Sequence, residues 1–272
     1  MKINTLISTM NQVNIEELLY SMNVKDDYVI INQITDNNIE KLLQEDKSGN
    51  ICYSYRGRGL SKSRNEAISK SDADICVIAD DDMYYENEYK ETIEKAYNKY
   101  PDADIIAFVV GNEEKEKEKK IMKEGKVDFI RSMKISSVQI TFKRNSIISN
   151  NIKFKEEFGA GAKYYFGEEN IFLAECLKKR LKIYYVPKKI ATLKKSESTW
   201  FKGHTRENYN ISGAVYYNMS KVFYPILIVQ FVLRKKWLYG KYLKPVQVMK
   251  YMFEGVKRYK KEKDENSILL WF

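Results

Sequence analysis

The stretch Ile75-Cys-Val-Ile-Ala-Asp-Asp-Asp-Met-Tyr-Tyr-Glu86 begins as an apolar strand pattern and continues into three carboxylates. Its first five residues form a short apolar run with β-branched side chains, which is typical of a strand buried on both faces of a parallel sheet. Asp80, Asp81 and Asp82 follow at once. Open α/β sheets bind their ligands at the carboxyl ends of the strands. The stretch therefore places three carboxylates where such a sheet binds its ligand.

The three aspartates favour a cation. Carboxylates this close repel one another unless a cation or several hydrogen-bond donors lie between them. A hard divalent ion with oxygen ligands, Mg²⁺ or Mn²⁺, relieves the repulsion and commonly holds substrate phosphates as well. The same residues would also suit a solvated acidic turn in front of a helix near Glu86. The aspartates alone leave both interpretations open.

Composition indicates one large α/β domain, or one domain with an appendage: the chain has 272 residues, of which 44% are hydrophobic and 31% charged. Cys52, Cys76 and Cys176 are odd in number, far apart and within apolar segments. We expect buried free thiols in a reducing compartment rather than disulfides or a zinc site. The N-terminal residues follow a strand pattern without a signal-peptide core, so we expect a cytoplasmic protein.

The net charge of +10 is concentrated near the C-terminus. Residues 221–263 carry twelve Lys or Arg and two Glu, a net charge of +10. The apolar run at residues 222–233 is shorter than the roughly 20 residues that span a bilayer. Such a basic, aromatic tail suits either an anionic membrane surface or nucleic acid. Because of the apolar run we expect peripheral membrane contact and no nucleic-acid partner.

Hydrophobic patterning predicts strands that alternate with helices, which indicates a parallel sheet with right-handed crossovers. Predicted strands lie at residues 2–8, 28–32, 51–54, 75–79, 105–110, 135–142 and 183–186, the last ended by Pro187. Predicted helices lie at residues 14–22 with Asn14 as cap, 39–43, within 57–68, 86–100, 167–179, 209–223 and 243–261. Residues 112–126, rich in Glu and Lys, are predicted to form a solvated loop.

Two further segments carry candidate chemistry. Residues 57–68 offer backbone amides and the positive end of a helix, with several cations nearby, which suits an anion. The Gly-Lys-Ser/Thr element of a P-loop is missing there, and we single out Arg64 and Asn65. An ordinary surface helix is the alternative. In Phe166-Gly-Glu-Glu-Asn170, one carboxylate could be a general base near a metal, or both could simply complement the helix dipole.

In this order the motifs resemble the family 2 glycosyltransferases of the GT-A fold, especially bacterial enzymes of capsule, exopolysaccharide or lipopolysaccharide assembly. The resemblance covers about residues 1–200 and, more loosely, the basic tail. It implies a Rossmann-like, mostly parallel α/β sheet flanked by helices. The nucleotide-sugar half would be residues 1–110 and the acceptor half residues 127–200. A basic, aromatic helical appendage at residues 201–272 would face the membrane.

The resemblance also implies roles for individual residues. Asp82 and Asp80, as a DxD motif, would hold Mn²⁺ or Mg²⁺ and the diphosphate of a nucleotide-sugar, with Asp80 or Asp81 reaching the ribose. The pair Glu168 and Glu169 would lie on the acceptor side, with Glu169 as the base, which implies an inverting transferase. Nucleotide contacts are implied for a set of residues on the early strands and the first glycine-led helix: Thr5, Ser8, Thr9, Arg64 and Asn65.

Three departures from the family pattern affect the expected site. Asn32 and Gln33 stand where the family often has an aspartate on uracil, although amides can both donate and accept. The base position is Glu rather than Asp. The segment Thr192-Leu-Lys-Lys195 replaces the usual metal-ligating histidine, so Lys194 or Lys195 could neutralise phosphate instead. The only histidine follows in a loop whose residues could close over donor or acceptor: Trp200, Phe201 and His204.

We therefore expect a metal-dependent transfer of a hexose or N-acetylhexosamine, from a UDP-sugar or other nucleotide-sugar, to a hydroxyl of a glycan or lipid-linked oligosaccharide in surface polysaccharide synthesis. The enzyme would act at the inner face of the cell membrane. One alternative is a sugar nucleotidyltransferase, although Ser8-Thr-Met-Asn-Gln12 lacks the Gly-rich arginine loop of that class. Another is a non-catalytic membrane- or nucleic-acid-binding module on a degenerate transferase core.

Overall fold

A computed structural model of the chain describes residues 1–25, 27–39, 43–45, 50–112, 121–194 and 203–269. Within these ranges ten strands form one mixed sheet, and helices cover both of its faces. This is the α/β, Rossmann-like architecture that the family resemblance implies.

The strands run largely parallel. In chain order they are β1 (Ile3–Met10), β2 (Tyr28–Ile34), β3 (Leu43–Glu45), β4 (Ile51–Arg56), β5 (Ile75–Asp80), β6 (Met83–Tyr85), β7 (Ile105–Asn112), β8 (Gly125–Lys126), β9 (Ile140–Lys143) and β10 (Ile183–Leu193). Their order across the sheet is β3-β4-β2-β1-β5-β9-β7-β10-β6, and β8 pairs with β10. Strands β1, β2, β4 and β5 are parallel, as are β7 and β10. Strand β9 lies antiparallel between β5 and β7 and divides the two parallel groups.

The helices follow the predicted alternation. They are α1 (Ile15–Met22), α2 (Leu60–Lys70), α3 (Tyr89–Lys99), α4 (Phe129–Ser132), α5 (Arg144–Ser149), α6 (Glu168–Lys178), α7 (Arg206–Met219), α8 (Tyr224–Arg234), α9 (Lys236–Tyr239) and α10 (Pro245–Leu269). Asn14 caps α1, because its Oδ1 accepts a hydrogen bond from the Glu17 amide at 3.0 Å. In the described part of the chain no helix is long and apolar enough to cross a bilayer.

Strand β5 is buried on both faces, as its apolar run predicts. Val77 and Ala79 pack with side chains of α1 and α3 on one face of the sheet. Cys76 and Ile78 pack with side chains of α2 and α6 on the other. All four side chains have no solvent exposure. The strand therefore reaches its carboxyl end, and Asp80, from the centre of the core.

The prediction that Pro187 ends the last strand is wrong. Strand β10 continues to Leu193. Its pairing with β7 shifts register between Tyr185 and Lys189, so the proline lies in an irregular stretch. A proline has no amide hydrogen to donate and is tolerated at such a bulge. The proline in the sequence correctly indicates an irregular stretch at this point. The strand nevertheless continues beyond it, because residues 189–193 pair with β7.

Two other predicted elements differ in the structure. The strand predicted at residues 135–142 is shorter, because Ser137–Gln139 forms a 3-10 turn before β9 begins. Gln139 holds that turn by accepting a hydrogen bond from the Ser136 amide at 3.0 Å. The helix predicted at residues 39–43 is wrong at its end, since Leu43 lies in β3 and pairs with Tyr53. Residues 40–42 lie outside the described ranges.

The three cysteines are buried free thiols, as predicted. Burial raises the pKa of Cys52 to about 11 and that of Cys76 to about 12. Burial also raises the pKa of Cys176 far above its ordinary value. Thiols with such high pKa values are protonated at neutral pH and act as small apolar core residues.

Helices α7, α8 and α10 contribute two further clusters of core residues, one of which also includes side chains of α6. Helices α7 and α10 approach so closely that glycine is required at the contact. A Cβ on Gly213 would lie 1.9 Å from the Met252 carbonyl oxygen, and a Cβ on Gly255 would lie 1.9 Å from that of Asn210. The predicted division of the chain near residue 200 stays a prediction.

Replacing Gly213 or Gly255 with alanine is expected to lower the free energy of unfolding by about 1–3 kcal/mol, because the new methyl group forces two helix backbones apart. Urea unfolding of the full chain measures this. Alanine is otherwise favoured over glycine in a helix by about 1 kcal/mol. A stabilised Gly213→Ala protein would therefore contradict the close contact, and Lys250→Ala on the exposed side of α10 serves as control.

Candidate functional site

Strands β1, β2 and β5 bring predicted site residues to one edge of the sheet. The strands are parallel neighbours, so their carboxyl ends lie together. Their register pairs Ser8 with Asp80 and Thr9 with Asn32. This is the edge at which open α/β sheets bind ligands. The structure thus assembles the polar residues that follow three separate apolar runs.

A buried arginine connects this edge to the acceptor-side motif. Arg64, on α2, has no solvent exposure. Its Nη1 donates to Glu168 Oε1 at 2.8 Å, and its Nη2 donates to Asp80 Oδ1 at 3.0 Å. Nη2 also donates to Ser137 Oγ at 3.0 Å. Arg64 is therefore not part of an ordinary surface helix, which was the alternative interpretation of residues 57–68.

The charge on Arg64 is maintained by its partners. Burial by itself lowers the pKa of an arginine, but the charges of Asp80 and Glu168 raise the pKa of Arg64 above its ordinary value. A planar guanidinium presents its N–H donors in a fixed fork, whereas the three donors of a lysine ammonium rotate freely. Arg64 thus joins two carboxylates that lie far apart in the sequence. We call Arg64, Asp80, Ser137 and Glu168 the arginine network.

The other two aspartates have distinct surroundings. Asp81 Oδ2 accepts a hydrogen bond from Thr9 Oγ1 at 2.7 Å, which ties the acidic segment to the end of β1. The Asp81 side chain is still reached by solvent. Its partial burial raises the pKa of the carboxyl, the hydrogen bond from Thr9 opposes that shift, and the charge of Asp80 adds to it. The backbone carbonyl of Asp82 accepts from the Lys194 amide at 2.8 Å. Lys194 therefore lies beside the acidic segment, whereas Lys195 falls outside the described residues.

Glu168 and Glu169 begin α6 after a glycine with left-handed backbone geometry. Burial and the neighbouring Glu168 raise the pKa of Glu169 to about 8. Asn170 Nδ2 donates to Glu169 Oε1 at 2.7 Å. Space around Glu168 is limited, because a Cβ on Gly159 would lie 3.1 Å from Glu168 Cδ. A carboxylate with this pKa can exchange a proton near neutral pH, which suits a general base.

Several residues that are predicted to contact the nucleotide form hydrogen bonds with other groups of the protein. Ser8 Oγ accepts from Ser63 Oγ at 2.9 Å. Asn32 bonds both backbone groups of Gln12, at 3.0 Å and 2.7 Å. Gln33 Oε1 accepts from the Gly59 amide at 2.6 Å. These contacts shape the loops after β1 and β4 around the sheet edge.

Other predicted site residues lie elsewhere. Thr5 is buried within β1, where its hydroxyl lies 2.8 Å from the Tyr89 hydroxyl. Asn65 bonds the backbone of Phe154 in both directions, each at 2.9 Å. His204 Nδ1 lies 2.9 Å from the Tyr209 hydroxyl, and its ring stacks on Tyr242. Their roles in ligand binding stay predictions. Trp200 and Phe201 fall outside the described residues.

Sequence reasoning missed two residues of the site. Ser137 lies within a segment that was predicted as a strand. Its hydroxyl reaches Arg64 because Ser137–Gln139 form a 3-10 turn instead. Ser63 lies in the glycine-led motif that was noted, but its contact with Ser8 depends on how α2 packs on β1. Among the described residues no group of three or more His, Cys, Asp and Glu side chains is placed to hold a metal ion.

Comparison with solved structures supports the fold of the chain. No curated protein sequence matches the chain significantly. The chain is similar to the crystal structure of S. aureus TarS 1–349 in complex with UDP-GlcNAc, with a TM-score of 0.60, 14% identity, and coverage of 95% of this chain and 80% of that one. It is also similar to glucosyl-3-phosphoglycerate synthase from Mycobacterium tuberculosis in complex with Mg²⁺ and UDP, with a TM-score of 0.50, 11% identity, and coverage of 80% and 79%.

At such identities these two structures support the fold alone. The family evidence comes from the sequence itself. The model of glycosyl transferase family 2 matches residues 9–164, more than half of the chain. The matched residues include the three aspartates and the arginine of the network. The chain therefore belongs to glycosyl transferase family 2.

Proposed function

We propose that this glycosyltransferase is inverting and metal-dependent, and transfers a hexose or N-acetylhexosamine from a UDP-sugar to a hydroxyl of a glycan or lipid-linked oligosaccharide. The arginine network carries the proposal, because one guanidinium brings the aspartate segment and the Glu168–Glu169 pair into a single site. The presence of UDP-GlcNAc and of UDP in the two similar structures supports the choice of donor. The route would be surface polysaccharide synthesis in a bacterium.

The donor side would use Asp80 and Asp82 to hold Mg²⁺ or Mn²⁺ against the diphosphate. Mg²⁺ at phosphate sites is usually bound by one or two carboxylates plus the substrate phosphates. Asp80 and Asp82 supply two carboxylates at the ligand-binding edge, so the residues fit such an ion. When bound, the metal neutralises the charge that develops on the leaving diphosphate. Thr9 and Asp81, hydrogen-bonded to each other, would contact the nucleotide.

The acceptor side would use Glu169 as general base. The acceptor hydroxyl oxygen attacks the anomeric carbon and forms the new C–O bond, while its proton passes to Glu169. The bond from the anomeric carbon to the diphosphate oxygen breaks, and its electron pair leaves with the diphosphate. Attack from the side opposite the leaving group inverts the anomeric configuration. Glu168, paired with Arg64, would position the start of α6 and with it Glu169.

The helices after residue 203 would contact an anionic membrane from the cytoplasmic side. Exposed apolar side chains occur from just before α8 to the start of α10, and each is more than half exposed: Val222, Phe223, Ile226, Leu233, Trp237 and Val246. Lysines and an arginine lie among them in sequence, at residues 234–236, 241 and 244. Apolar side chains inserted among headgroups, with cations beside them, are typical of interfacial helices. We call this surface the apolar face.

Binding and slow hydrolysis of a panel of nucleotide-sugars, in Mg²⁺, Mn²⁺ or EDTA, test the donor side. We expect one UDP-sugar to be turned over, and EDTA to abolish turnover. Asp82→Asn should lower turnover about 100-fold or more, the size of effect expected when a charge-stabilising group is removed. Asp72→Asn, at an exposed aspartate paired with Lys2, is the control. Turnover that is unaffected by EDTA would contradict the metal assignment.

Glu169→Gln is expected to lower turnover by about 10²- to 10⁴-fold, because it removes the general base, while donor binding is unchanged. The base must be deprotonated to act. Since its pKa is raised to about 8, kcat/KM of the wild-type enzyme should rise with pH and level off above that value. The rising limb should be absent from the residual activity of Glu169→Gln. Glu175→Gln, on the exposed side of α6, should behave as wild type. Loss of donor binding in Glu169→Gln would contradict the assignment.

Arg64→Met is expected to lower the free energy of unfolding by about 3–5 kcal/mol, because it leaves Asp80 and the buried Glu168 without their cation. Chemical unfolding followed by circular dichroism measures this. Lys62→Met, at an exposed position of the same helix, should change stability by less than about 1 kcal/mol. Equal stability of the two variants would show that Arg64 does not hold the network together.

A further inference from the structure

A pocket with a volume of 730 Å³ opens between residues 155–157, the end of α7 and the C-terminal part of α10. Its wall contains four lysines and two tyrosines: Lys155, Lys221, Lys260, Lys263, Tyr217 and Tyr259. None of them belongs to the arginine network or to the aspartate segment. The pocket is large enough for a small organic ligand, since ligand sites typically measure about 300–1,000 Å³.

Three of the lysine side chains converge on Tyr217 and Asn218. Lys221 Nζ lies 3.5 Å from the centre of the Tyr217 ring, and Lys260 Nζ lies 4.8 Å from it. Lys155 Nζ donates to Asn218 Oδ1 at 2.6 Å, and Lys221 Nζ approaches the same oxygen at 3.5 Å. Within the described ranges none of these three lysines forms an ion pair with a carboxylate. Three cations thus share one neutral amide and one aromatic ring.

Three carboxylates also reach the pocket wall, and each of them interacts with other groups of the chain. Glu157 accepts hydrogen bonds from the Tyr259 hydroxyl and from Lys263 Nζ. Glu156 Oε1 accepts a hydrogen bond at 3.2 Å from Nδ2 of Asn65, which lies on α2. The third carboxylate, Asp264, is exposed at the end of the pocket. The charges that face one another inside the pocket are therefore mainly those of Lys155, Lys221 and Lys260.

Burial, and then repulsion by neighbouring lysines, lowers the pKa of Lys155 and Lys221. Burial, followed by the charges of Lys155 and Lys178, lowers the pKa of Lys221 to about 8, while Glu157 opposes the shift. Burial also lowers the pKa of Lys155, while the charge of Glu157 opposes the shift and that of Lys263 adds to it. An anion placed among the ammonium groups would relieve this repulsion.

We propose that this pocket binds a phosphate group, with Lys155, Lys221 and Lys260 as its donors. Lysine ammonium groups bind phosphate as point charges and can donate in several directions, which suits a tetrahedral anion. The aromatic rings of Tyr217 and Tyr259 would contact the organic part of the ligand. Lys221 directly precedes Val222 and Phe223 of the apolar face. The phosphate could therefore belong to a lipid headgroup or to a soluble phosphate ester.

The pocket is independent of the transfer chemistry proposed above, although one chain segment connects the two places. Residues 155–157 line the pocket, whereas Phe158 and Gly159 lie against Ser61 and Glu168. Any phosphate that binds at the aspartate segment would bind equally to variants of the pocket. Failure of the transferase mechanism would consequently leave this proposal untouched, and failure of this proposal would leave the mechanism untouched.

The test compares two double variants of the full chain that remove the same charge. The pocket variant is Lys221→Gln with Lys260→Gln. The control variant is Lys250→Gln with Lys257→Gln, at exposed positions of α10 that do not line the pocket. Calorimetric titration with inorganic phosphate forms one arm. Co-sedimentation with vesicles of phosphatidylcholine and phosphatidylglycerol forms the other. Circular dichroism checks that both variants fold.

We expect the pocket variant to bind inorganic phosphate about tenfold more weakly than the control, which corresponds to loss of a charge-assisted hydrogen bond. A difference in the phosphate arm alone would support the proposal with a soluble phosphate ester as ligand. A difference in vesicle binding would support it with a lipid headgroup as ligand. Equal behaviour of the two variants in both arms would overturn the proposal.

A third variant separates the pocket from the apolar face. Phe223→Ser with Ile226→Ser removes two exposed apolar side chains beside the pocket without changing its charge. It should weaken vesicle binding and leave the titration with inorganic phosphate unchanged. If it abolished phosphate binding in a folded protein, the lysines would not be the binding groups, and the proposal would be wrong.

Discussion

The charge of Arg64 is the constraint on which the site depends. A guanidinium without solvent exposure is costly unless charged and hydrogen-bonding partners surround it. Its partners come from the end of β5, from the 3-10 turn before β9, and from the first residue of α6. These elements lie far apart in the chain. Correct burial of Arg64 therefore requires that they all be in place.

The same contact links the two halves of the proposed chemistry. Asp80 is fixed at the end of β5 beside Asp81 and Asp82, so the donor end of the site is oriented by the arginine. Glu168 is fixed at the start of α6, next to Glu169. Burial and the nearness of Glu168 raise the pKa of Glu169, which places the proposed base near neutral pH. One cation thereby holds both halves of the proposed site in place.

The C-terminal helices are more closely tied to the site than a basic appendage suggests. Helix α10 crosses α7 at a contact that admits only glycine, and α7 packs on α6 through Val215 beside Gly167. Farther along α10, Glu262 accepts from the Tyr164 hydroxyl at 2.7 Å, and Tyr259 donates to Glu157. These contacts bracket residues 157–167, which lead directly into Glu168. A ligand in the lysine pocket would touch the same segment, so the C-terminal helices and the proposed transferase site share a structural support.

The sequence by itself determined the strand–helix alternation, the burial of β5 on both faces, the cap at Asn14, the free cysteines and the motifs that define the family. All of these are local properties that depend on apolar runs and on the short motifs that follow them. Only the tertiary structure decided that β10 continues past Pro187, that Ser137 faces Arg64, and that Arg64 pairs with Glu168. Those outcomes depend on strand register and helix packing between segments far apart in the chain. A local sequence pattern does not indicate which distant side chain will pair with a buried charged group. The lysine pocket has the same origin, since its cations come from three segments far apart in the chain, two of which are brought together where Gly213 contacts Met252 and Gly255 contacts Asn210.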